Sequence, residues 1–397
     1  MASAPNTDGQ FLLRALELAH QGIALASPNP CVGAVVVAGG KIVGEGFHTY
    51  EGVYHAEVLA LEQAGAAARG ATLYLNLEPC CHQGRTPPCV DAIVKAGIKR
   101  VVASMRDPNP LVSGQGVEKL RAVGVAISEG GLEAEARKLN EGFARWVRDQ
   151  RPLVTLKAAM TLDGKIAPPP GEPGSEVASP AGGWITSEAA RAHVQQLRHA
   201  SDAILVGVGT IIADDPLLTD RTGQARRRPL LRVILDSRLR LPLESRVVKT
   251  CRQDVLVFCS FAEEKKKKAL EERGVRVEQV ESGSGDGRPD LRRVAGRLGE
   301  LEILDLLIEG GALVNWAALA AGVVDKVFLY YAPKILAGSG AVSFAAGPGF
   351  RRMSEAAQLR SFTLHRFGED FAVEGYLRDP YEPIGSLSHR VIESLSH

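Results

Sequence analysis

The stretch HAEVLALEQAGAAARGATLYLNLEPCCHQGRTPPC, residues 55–89, decides the fold of the first part of the chain. Its apolar residues predict a helix over His55–Arg69 and a strand over Ala71–Leu77, and a second helix, Cys89–Ala96, begins at its last residue. A helix, a strand and a helix in succession are typical of an α/β domain. The same stretch carries a histidine, an acid and three cysteines near the ends of these elements.

The segment His55-Ala56-Glu57 and two prolyl-cysteines supply the parts of a catalytic zinc site. A catalytic zinc ion takes three protein ligands and leaves the fourth position for water. The candidate ligands are His55, Cys80 and Cys89. Spacing alone does not decide between Cys80 and Cys81. Adjacent side chains rarely reach one tetrahedral ion, so we choose Cys80, which directly follows a proline.

Glu57 lies two residues after His55, where its carboxylate can move protons beside the metal. Zinc lowers the pKa of bound water to about 7, and Glu57 would carry the proton to a ring nitrogen and a leaving amine. Cys89 begins an apolar helix, whose N-terminus favours the thiolate. Together these parts indicate a hydrolytic deaminase. The alternative is a closed structural site with Cys81 or His82 as fourth ligand, in which Glu57 would have no use.

The composition is that of an ordinary globular protein without an obvious polyanionic partner. Its 397 residues are 45% hydrophobic and 23% charged, with a formal net charge of +1. Three of the six cysteines cluster beside a histidine motif, which favours a metal site and a reducing, cytoplasmic compartment. The N-terminus does not have the pattern of a signal peptide. The apolar run Leu306–Val324 is interrupted by polar residues and glycines, so we expect no membrane span.

Strands and helices alternate along the whole chain and predict two α/β domains. We expect a deaminase domain at 1–149, a second domain at 150–380 and a flexible tail at 381–397. The Pro-, Gly- and Ser-rich segment 168–180 is predicted to be a flexible insertion. The strands predicted in the second domain are Leu153–Ala159, Ala203–Val208, Leu231–Leu235, Val255–Cys259, Val275–Val280, Leu304–Ile308 and Lys326–Ala332. Its predicted helices are Ser187–His199, Glu263–Arg273, Pro289–Leu298 and Ala312–Ala321.

The second domain has no G-x-G-x-x-G motif between a strand and a helix, so a Rossmann fingerprint is absent. Glycines end two predicted strands, at Val206–Thr210 and at Glu309-Gly310-Gly311, where backbone N–H groups can approach phosphates. Either segment alone is more often a tight turn. Lys157 lies in an otherwise apolar strand, where an unpaired ammonium is costly. It therefore has either a ligand-binding role or a structural ion pair.

With these residues identified, the chain resembles the bifunctional deaminase–reductases of riboflavin biosynthesis over roughly residues 8–378. Seven motifs carry the resemblance by their order and joint presence: SPNPCVGAV (27–35), HAE (55–57), EPC through TPPC (78–89), LKAAMTLDGK (156–165), GWIT (183–186), ADDP (213–216) and IEGG (308–311). The resemblance implies a cytidine-deaminase-like α/β/α domain followed by a dihydrofolate-reductase-like α/β domain. It also implies zinc, NADPH and a homo-oligomer, either a dimer or a tetramer.

The implied reactions are hydrolytic deamination of 2,5-diamino-6-ribosylamino-4(3H)-pyrimidinone 5′-phosphate, and then reduction of the ribosyl group to ribityl. The implied partner is therefore a phosphorylated pyrimidine, with no nucleic acid and no membrane. The resemblance gives the same zinc ligands and gives Glu57 as the acid/base. It places deaminase substrate contacts at Asn29, His48, His82 and Arg85. It places cofactor contacts at Met160, Trp184, Thr210, Asp214, Ser237, Gly310 and Gly311.

The reductase substrate contacts, to which we add Lys157, are Thr186, Arg198, Leu218, Arg221 and Glu309. Arg198 and Arg221 are suitable partners for a substrate phosphate, although solvated surface pairs are the alternative. His48 and His82 have the alternative of a purely structural role. The chain departs from its relatives at Cys81, where a small hydroxyl residue is frequent, and at Gly182, where serine is frequent.

Two rival functions use the same zinc ligands. A deaminase of nucleic-acid bases would need a basic surface lined with aromatic residues, which 5% aromatic content and a net charge near zero do not favour. A structural zinc module fused to a nucleotide-binding domain would not need Glu57. A third reading, in which only one of the two domains is active, stays open.

Overall fold

The computed structural model describes residues 7–83, 87–110, 112–169, 184–283 and 287–384. Within these ranges the chain divides into two compact units. The first runs as far as Asp149 and also includes Ala225–Arg228, and the second contains Gln150–Gln224 and the residues from Pro229 onward. The predicted insertion at 168–180 lies outside the described residues from position 170 onward, as do residues 385–397 of the predicted tail.

The first unit alternates helices and strands. Its helices are α1 Thr7–His20, α2 Ala56–Ala64, α3 Cys89–Ala96, α4 Gln115–Ala122, α5 Glu133–Leu139 and α6 Glu141–Asp149. Its strands are β1 Gly33–Ala38, β2 Lys41–Phe47, β3 Thr72–Leu77, β4 Arg100–Met105 and β5 Ala126–Glu129. A 3₁₀ turn over Gly65–Ala68 follows α2, so the predicted helix over His55–Arg69 is shorter as an α-helix.

The five strands form one sheet in the order β2-β1-β3-β4-β5. Strand β1 is antiparallel to β2 and β3, whereas β3, β4 and β5 are mutually parallel. Helix α1 packs on one face, where Leu12, Ala15 and Leu18 meet Val35 and Tyr74 in a buried cluster. Cys80 follows the carboxyl end of β3, an edge at which parallel sheets commonly carry their ligand sites.

Helix α2 lies unusually close to strand β2 because two glycines of the strand have no side chain to separate them. A Cβ atom at Gly44 would lie 2.0 Å from the carbonyl oxygen of Ala60, and one at Gly46 would lie 2.5 Å from that of Ala56. Real Cβ atoms do not approach so closely, so only glycine allows this contact. The close packing fixes the start of α2, which carries His55 and Glu57.

The second unit is larger. Its helices are α7 Glu188–Ala200, α8 Val208–Asp214, α9 Arg246–Lys249, α10 Glu264–Glu271, α11 Leu291–Glu300 and α12 Ala312–Ala320. Its strands are β6 Leu153–Thr161, β7 Lys165–Ala167, β8 Ala203–Gly207, β9 Leu231–Leu235, β10 Val255–Cys259, β11 Arg276–Gln279, β12 Asp305–Ile308, β13 Lys326–Ala332, β14 Val342–Ser343, β15 Ser361–Phe367 and β16 Asp370–Tyr376.

Nine of these strands form a sheet in the order β11-β10-β9-β8-β12-β6-β13-β16-β15. Neighbours from β11 to β13 are parallel, and β16 and β15 continue the sheet antiparallel. Alternate residues of the parallel strands enter two different cores, as Leu205 and Val233 do in one and Ile204 and Ile234 in the other. The parallel strands are therefore covered on both faces, and the carboxyl ends of β6, β8, β9 and β12 meet at one edge.

The structure differs from the sequence prediction in several places, including the short elements β7, α9 and β14, which were not predicted. The charged segment Leu132–Arg148, whose pattern predicts a helix, forms two helices separated by Asn140, whose side chain bonds to backbone in another loop. The sequence predicts no helix after the strand Ala203–Val208, whereas α8 begins at Val208, directly after β8. The sequence predicts no element after Ala332, yet β15 and β16 form a hairpin whose turn contains Gly368 at a φ of 70°. The alternation in Ser361–Phe367 and the glycine after it are the signal for that hairpin.

None of the described helices is both long enough and apolar enough to cross a membrane.

Candidate functional site

The three candidate zinc ligands come from the ends of three elements of the first unit. His55 is the residue before α2, Cys80 follows β3, and Cys89 is the first residue of α3. His55 Nδ1 lies 3.0 Å from Cys89 Sγ and 3.4 Å from Cys80 Sγ. The three donor atoms lie within 4.8 Å of one another, and they are the one such group found in the part of the chain that the structure describes.

The donor set fits a zinc ion. Zinc–sulfur and zinc–nitrogen bonds of about 2.3 Å and 2.1 Å put tetrahedral ligand atoms roughly 3.4–3.8 Å apart, so small outward movements of these side chains would admit the ion. One imidazole and two thiolates, with no fourth ligand joining them among the described residues, are the set of a catalytic site. Cys81 is buried, and its sulfur lies 3.9 Å from Gln115 Oε1.

The surroundings of Cys80 favour its thiolate. Hydrogen bonds from the Cys89 thiol, from His55 and from the backbone N–H of Cys89 lower the pKa of Cys80 to about 4. The same bond to the Cys80 sulfur, together with burial, raises the pKa of Cys89. That the start of α3 favours a thiolate at Cys89 stays a prediction, because both cysteines bind zinc as thiolates. The helix N–H of Cys89 lies 3.4 Å from Cys80 Sγ and favours a thiolate at Cys80 as well.

Glu57 is in the first turn of α2 and is only 4% exposed. Burial raises the pKa of its carboxyl group, and the nearby Cys80 charge acts in the same direction. Its carboxyl group also hydrogen-bonds the side chain of Cys89. A carboxyl group whose pKa is raised and which touches a ligand sulfur is suited to accept and return a proton at this site.

Asn29 and His48 form a hydrogen-bonded pair next to the zinc ligands. Asn29 Nδ2 lies 2.9 Å from His48 Nε2, and His48 Nδ1 lies 3.1 Å from the Tyr54 carbonyl oxygen. The Tyr54 carbonyl accepts a hydrogen bond from the Nδ1–H group of His48. The unprotonated Nε2 of His48 then accepts a hydrogen bond from the Asn29 amide. The His48 ring meets the His55 ring edge-on at 5.3 Å. His82 is exposed, and Arg85 lies outside the described residues.

Glu78 positions the Cys80 loop, a role that the sequence did not reveal. Its buried carboxylate accepts four backbone N–H groups, from Asp107 at 3.1 Å, Gly114 at 2.8 Å, Gly116 at 3.0 Å and Val117 at 3.1 Å. Two of these belong to the first turn of α4, where a negative charge is favourable. Glu78 therefore ties the segment before Cys80 to the next loop of the sheet edge.

Two buried asparagines hold the loop that follows Asn29. Asn140 Oδ1 accepts from the Cys31 N–H at 2.8 Å, and both Asn140 and Asn76 donate to the Cys31 carbonyl. Asn76 Oδ1 also accepts from the Gly33 N–H at 2.9 Å. Distant asparagines give no pattern in a single sequence, which is why this pair escaped prediction.

Lys157, Arg198 and Glu309 come together at the carboxyl edge of the second unit. Lys157 Nζ lies 3.3 Å from Glu309 Oε2, and Arg198 makes two bonds to the same carboxylate at 2.7 and 3.1 Å. Burial alone would raise the pKa of Glu309, but the charges of Lys157 and Arg198 outweigh it and hold that pKa at about 2. Arg198 also donates to the Thr219 carbonyl at 3.1 Å. Its guanidinium therefore already makes three hydrogen bonds within the protein.

The cofactor residues implied by the resemblance follow the same edge. A Cβ atom at Gly311 would lie 3.7 Å from Thr210 Oγ1, so the starts of α12 and α8 are neighbours. Met160 is buried near the end of β6, and Ser237 follows β9. Asp214 ends α8, and burial raises its pKa. Gly310 precedes α12, and a Cβ atom at this position would lie 2.6 Å from the side chain of Val314, so a larger residue does not fit there.

Trp184 and the remaining substrate residues lie on other loops of the unit. The Trp184 ring is 61% exposed and faces the Arg191 guanidinium at 4.8 Å. Thr186 is buried. Leu218 is buried with a φ of 55°, and the Arg221 N–H donates to Gln195 at 3.0 Å while its side chain is exposed.

Comparison with known protein families gives one match in each of the two units. Residues 5–105 match the family described as cytidine and deoxycytidylate deaminase zinc-binding region, and residues 152–373 match the RibD C-terminal domain. The fold and the two sites therefore define the chain as an enzyme that joins a zinc-dependent hydrolase, a deaminase, to an NADPH-dependent reductase.

Whole-chain relatives give the particular family. The riboflavin biosynthesis protein RibD of Aquifex aeolicus is 43% identical over 92% of this chain and 97% of its own, and that of Actinobacillus pleuropneumoniae is 40% identical over 94% and 96%. The solved structure of Acinetobacter baumannii RibD, form 1, is 38% identical, covers 93% of this chain and 98% of its own, and has a TM-score of 0.78. The chain belongs to the RibD family of bifunctional riboflavin-pathway enzymes.

Proposed function

We propose that this chain deaminates 2,5-diamino-6-ribosylamino-4(3H)-pyrimidinone 5′-phosphate and then reduces the ribosyl group of the product to ribityl. A similar solved structure supports the substrate. The Thermotoga maritima protein, 38% identical over 93% of this chain and 98% of its own with a TM-score of 0.77, is described as a diaminohydroxyphosphoribosylaminopyrimidine deaminase and 5-amino-6-(5-phosphoribosylamino)uracil reductase. The observation that carries the proposal is the buried Glu57 beside three zinc ligands.

In the deaminase, His55, Cys80 and Cys89 hold the metal. When bound, zinc supplies Lewis acidity that makes water acidic enough to act as a nucleophile near neutral pH. The Glu57 carboxylate accepts one proton from the attacking water and gives it to the ring nitrogen. It then carries the second proton of that water to the amine, which leaves as ammonia. Asn29, held by His48 at 2.9 Å, binds the edge of the pyrimidine through its amide. His82 and Arg85 bind the ribosyl phosphate.

In the reductase, NADPH when bound supplies the hydride that reduces C1′ of the opened ribosylamine. The chain mainly aligns the two reactants. The Lys157 ammonium donates to, and the Glu309 carboxylate accepts from, the sugar hydroxyl groups, and Arg198 holds that carboxylate in place. Arg221, with an exposed guanidinium, binds the substrate phosphate.

The cofactor phosphate has a suitable cavity at the end of β9. A space of about 260 Å³ is lined by Ser237, Arg238, Arg240, Gly287 and Arg288. Three arginines and a hydroxyl group around one cavity suit a dianionic phosphate monoester. This supports binding of the 2′-phosphate of NADPH there, and hence a preference for NADPH over NADH.

We further propose that the enzyme is a cytoplasmic homo-oligomer, either a dimer or a tetramer. The clustered, free cysteines support a reducing compartment. Light scattering of the purified chain would measure the assembly, and a monomer at micromolar concentration would contradict it.

One experiment tests both activities. Purified protein is given the diaminopyrimidinone ribosyl phosphate with and without NADPH, and the products are identified by mass spectrometry. We expect a gain of about one mass unit from deamination without NADPH, and about two more with it. An unchanged mass in both reactions would contradict the proposed substrate, and a gain of one only would contradict the reductase half.

A further inference from the structure

Three side chains of helix α7 form hydrogen bonds with the loop 217–222 of the second unit. Gln195 Oε1 accepts from the Arg221 N–H at 3.0 Å, and Arg198 Nη1 donates to the Thr219 carbonyl at 3.1 Å. His199 Nδ1 lies 2.9 Å from Asp220 Oδ2. Positions 195, 198 and 199 share one face of a helix, so these contacts act together on one short segment.

The contact between His199 and Asp220 is the buried one. Both side chains are less than a tenth exposed, at 6% and 7%. The other carboxylate oxygen of Asp220 accepts from the Thr222 N–H at 2.9 Å and from the Thr222 hydroxyl at 2.8 Å. Asp220 therefore links the residues on either side of Arg221 through its bonds to Thr222. Its bond to His199 attaches the loop to α7.

Arg221 lies at the centre of this arrangement. Its backbone N–H is held by Gln195 and its two neighbours in sequence are bound to each other, but its guanidinium is exposed. A phosphate-binding arginine loses conformational freedom when its ligand arrives. An anchored backbone reduces that loss, because only the side chain has to be ordered.

We propose that His199 and Asp220 are positioning residues that hold Arg221 in place to bind the phosphate of the reductase substrate. The inference rests on the proposed function, since it takes Arg221 as the phosphate contact. His199 and Asp220 act through Arg221, so their effect is on substrate affinity and is confined to substrates that carry the phosphate.

The test measures kcat and KM of the reductase for the phosphorylated substrate and for the same pyrimidine with its phosphate removed. For Asp220→Ala and His199→Ala we expect the KM of the phosphorylated substrate to rise about tenfold, with kcat within about twofold. Both constants for the dephosphorylated substrate stay unchanged. His199→Asn, which keeps an N–H donor near the position of Nδ1, restores the KM.

Three comparisons complete the design. Ala192→Ser, an exposed position on the same helix, is the matched control, and the deaminase rate of each variant checks that the rest of the chain is intact. In an Arg221→Ala background, Asp220→Ala should have no further effect on the KM. An additive loss there, or an equal loss for both substrates, would overturn the inference while leaving the proposed function standing. Arg221→Ala with an unchanged KM for the phosphorylated substrate would instead refute the phosphate contact in the proposed function.

Discussion

Replacing Glu78 by glutamine should detach the Cys80 loop without changing a zinc ligand. The carboxylate accepts four backbone N–H groups at 2.8–3.1 Å, two on each oxygen. Glutamine keeps one acceptor oxygen but presents an NH₂ group to the other pair. Two buried N–H groups then lose their acceptor, at about 1–3 kcal/mol each, so we expect a loss of roughly 2–6 kcal/mol. That is a large fraction of the stability of a typical domain.

The assay for Glu78→Gln has three readouts on the full chain: thermal unfolding, zinc content after dialysis, and the two activities. We expect an earlier unfolding transition, less retained zinc and a reduced deaminase rate, with the reductase rate unchanged because Lys157 and Glu309 belong to the other unit. Glu118→Gln, an exposed glutamate on α4, is the control. If Glu78→Gln unfolds and retains zinc like this control, the four bonds do not position the metal loop.

Three further predictions concern other parts of the chain. Arg238→Gln should lower kcat/KM for NADPH at least about tenfold and leave NADH unaffected, and an equal loss for both cofactors would argue against a phosphate cavity. Burial raises the pKa of Asp107 from 3.8 to about 6, so the folded chain binds this proton more tightly than the unfolded chain and loses stability as pH rises through that interval. Asp107→Asn should therefore stabilise the first unit by up to roughly 3 kcal/mol at pH 7 but not near pH 4, as urea unfolding at the two pH values would reveal. Gly44→Ala puts a Cβ atom 2.0 Å from the Ala60 carbonyl, so we expect a loss of about 1–3 kcal/mol and a slower deaminase, and an unchanged unfolding midpoint would disprove the tight contact of α2 with β2.

The zinc site could be predicted from sequence because its signal is local. His55 and Glu57 are two residues apart, and each cysteine ligand follows a proline, so residue type and order suffice. The structure brings His55, Cys80 and Cys89 within 4.8 Å of one another. The hydrogen bond from the Cys89 N–H at the start of α3 to Cys80 Sγ is not encoded in spacing and was not predicted.

The supporting residues could not be predicted, because their partners are distant in sequence. Glu78 looks like one acid before a proline, and nothing near it indicates the N–H groups of residues 107–117. His199 and Asp220 are 21 residues apart and are brought together only by the packing of α7 on a loop. The role of Arg198 at a phosphate stays a prediction, and its two bonds to Glu309 depend on the packing of α7 beside the end of β12, which a single sequence does not show.

The fold of the second unit was predictable where strands are buried on both faces and read as apolar runs, as in Val255–Cys259. The edge hairpin β15–β16 was missed because its outer strand is exposed and does not have the continuous apolar run that marks the central strands. Phe362 and Leu364 are more than 60% exposed, so their hydrophobicity does not indicate a core.

The most direct test of the account is Glu57→Gln assayed for zinc and for both activities, with the exposed Glu62→Gln on the same helix as control. We predict that Glu57→Gln keeps its zinc and its reductase rate but loses deamination at least about a hundredfold, because the carboxylate that moves the proton is gone. A variant that holds zinc and still deaminates at the rate of the control would contradict the role assigned to Glu57.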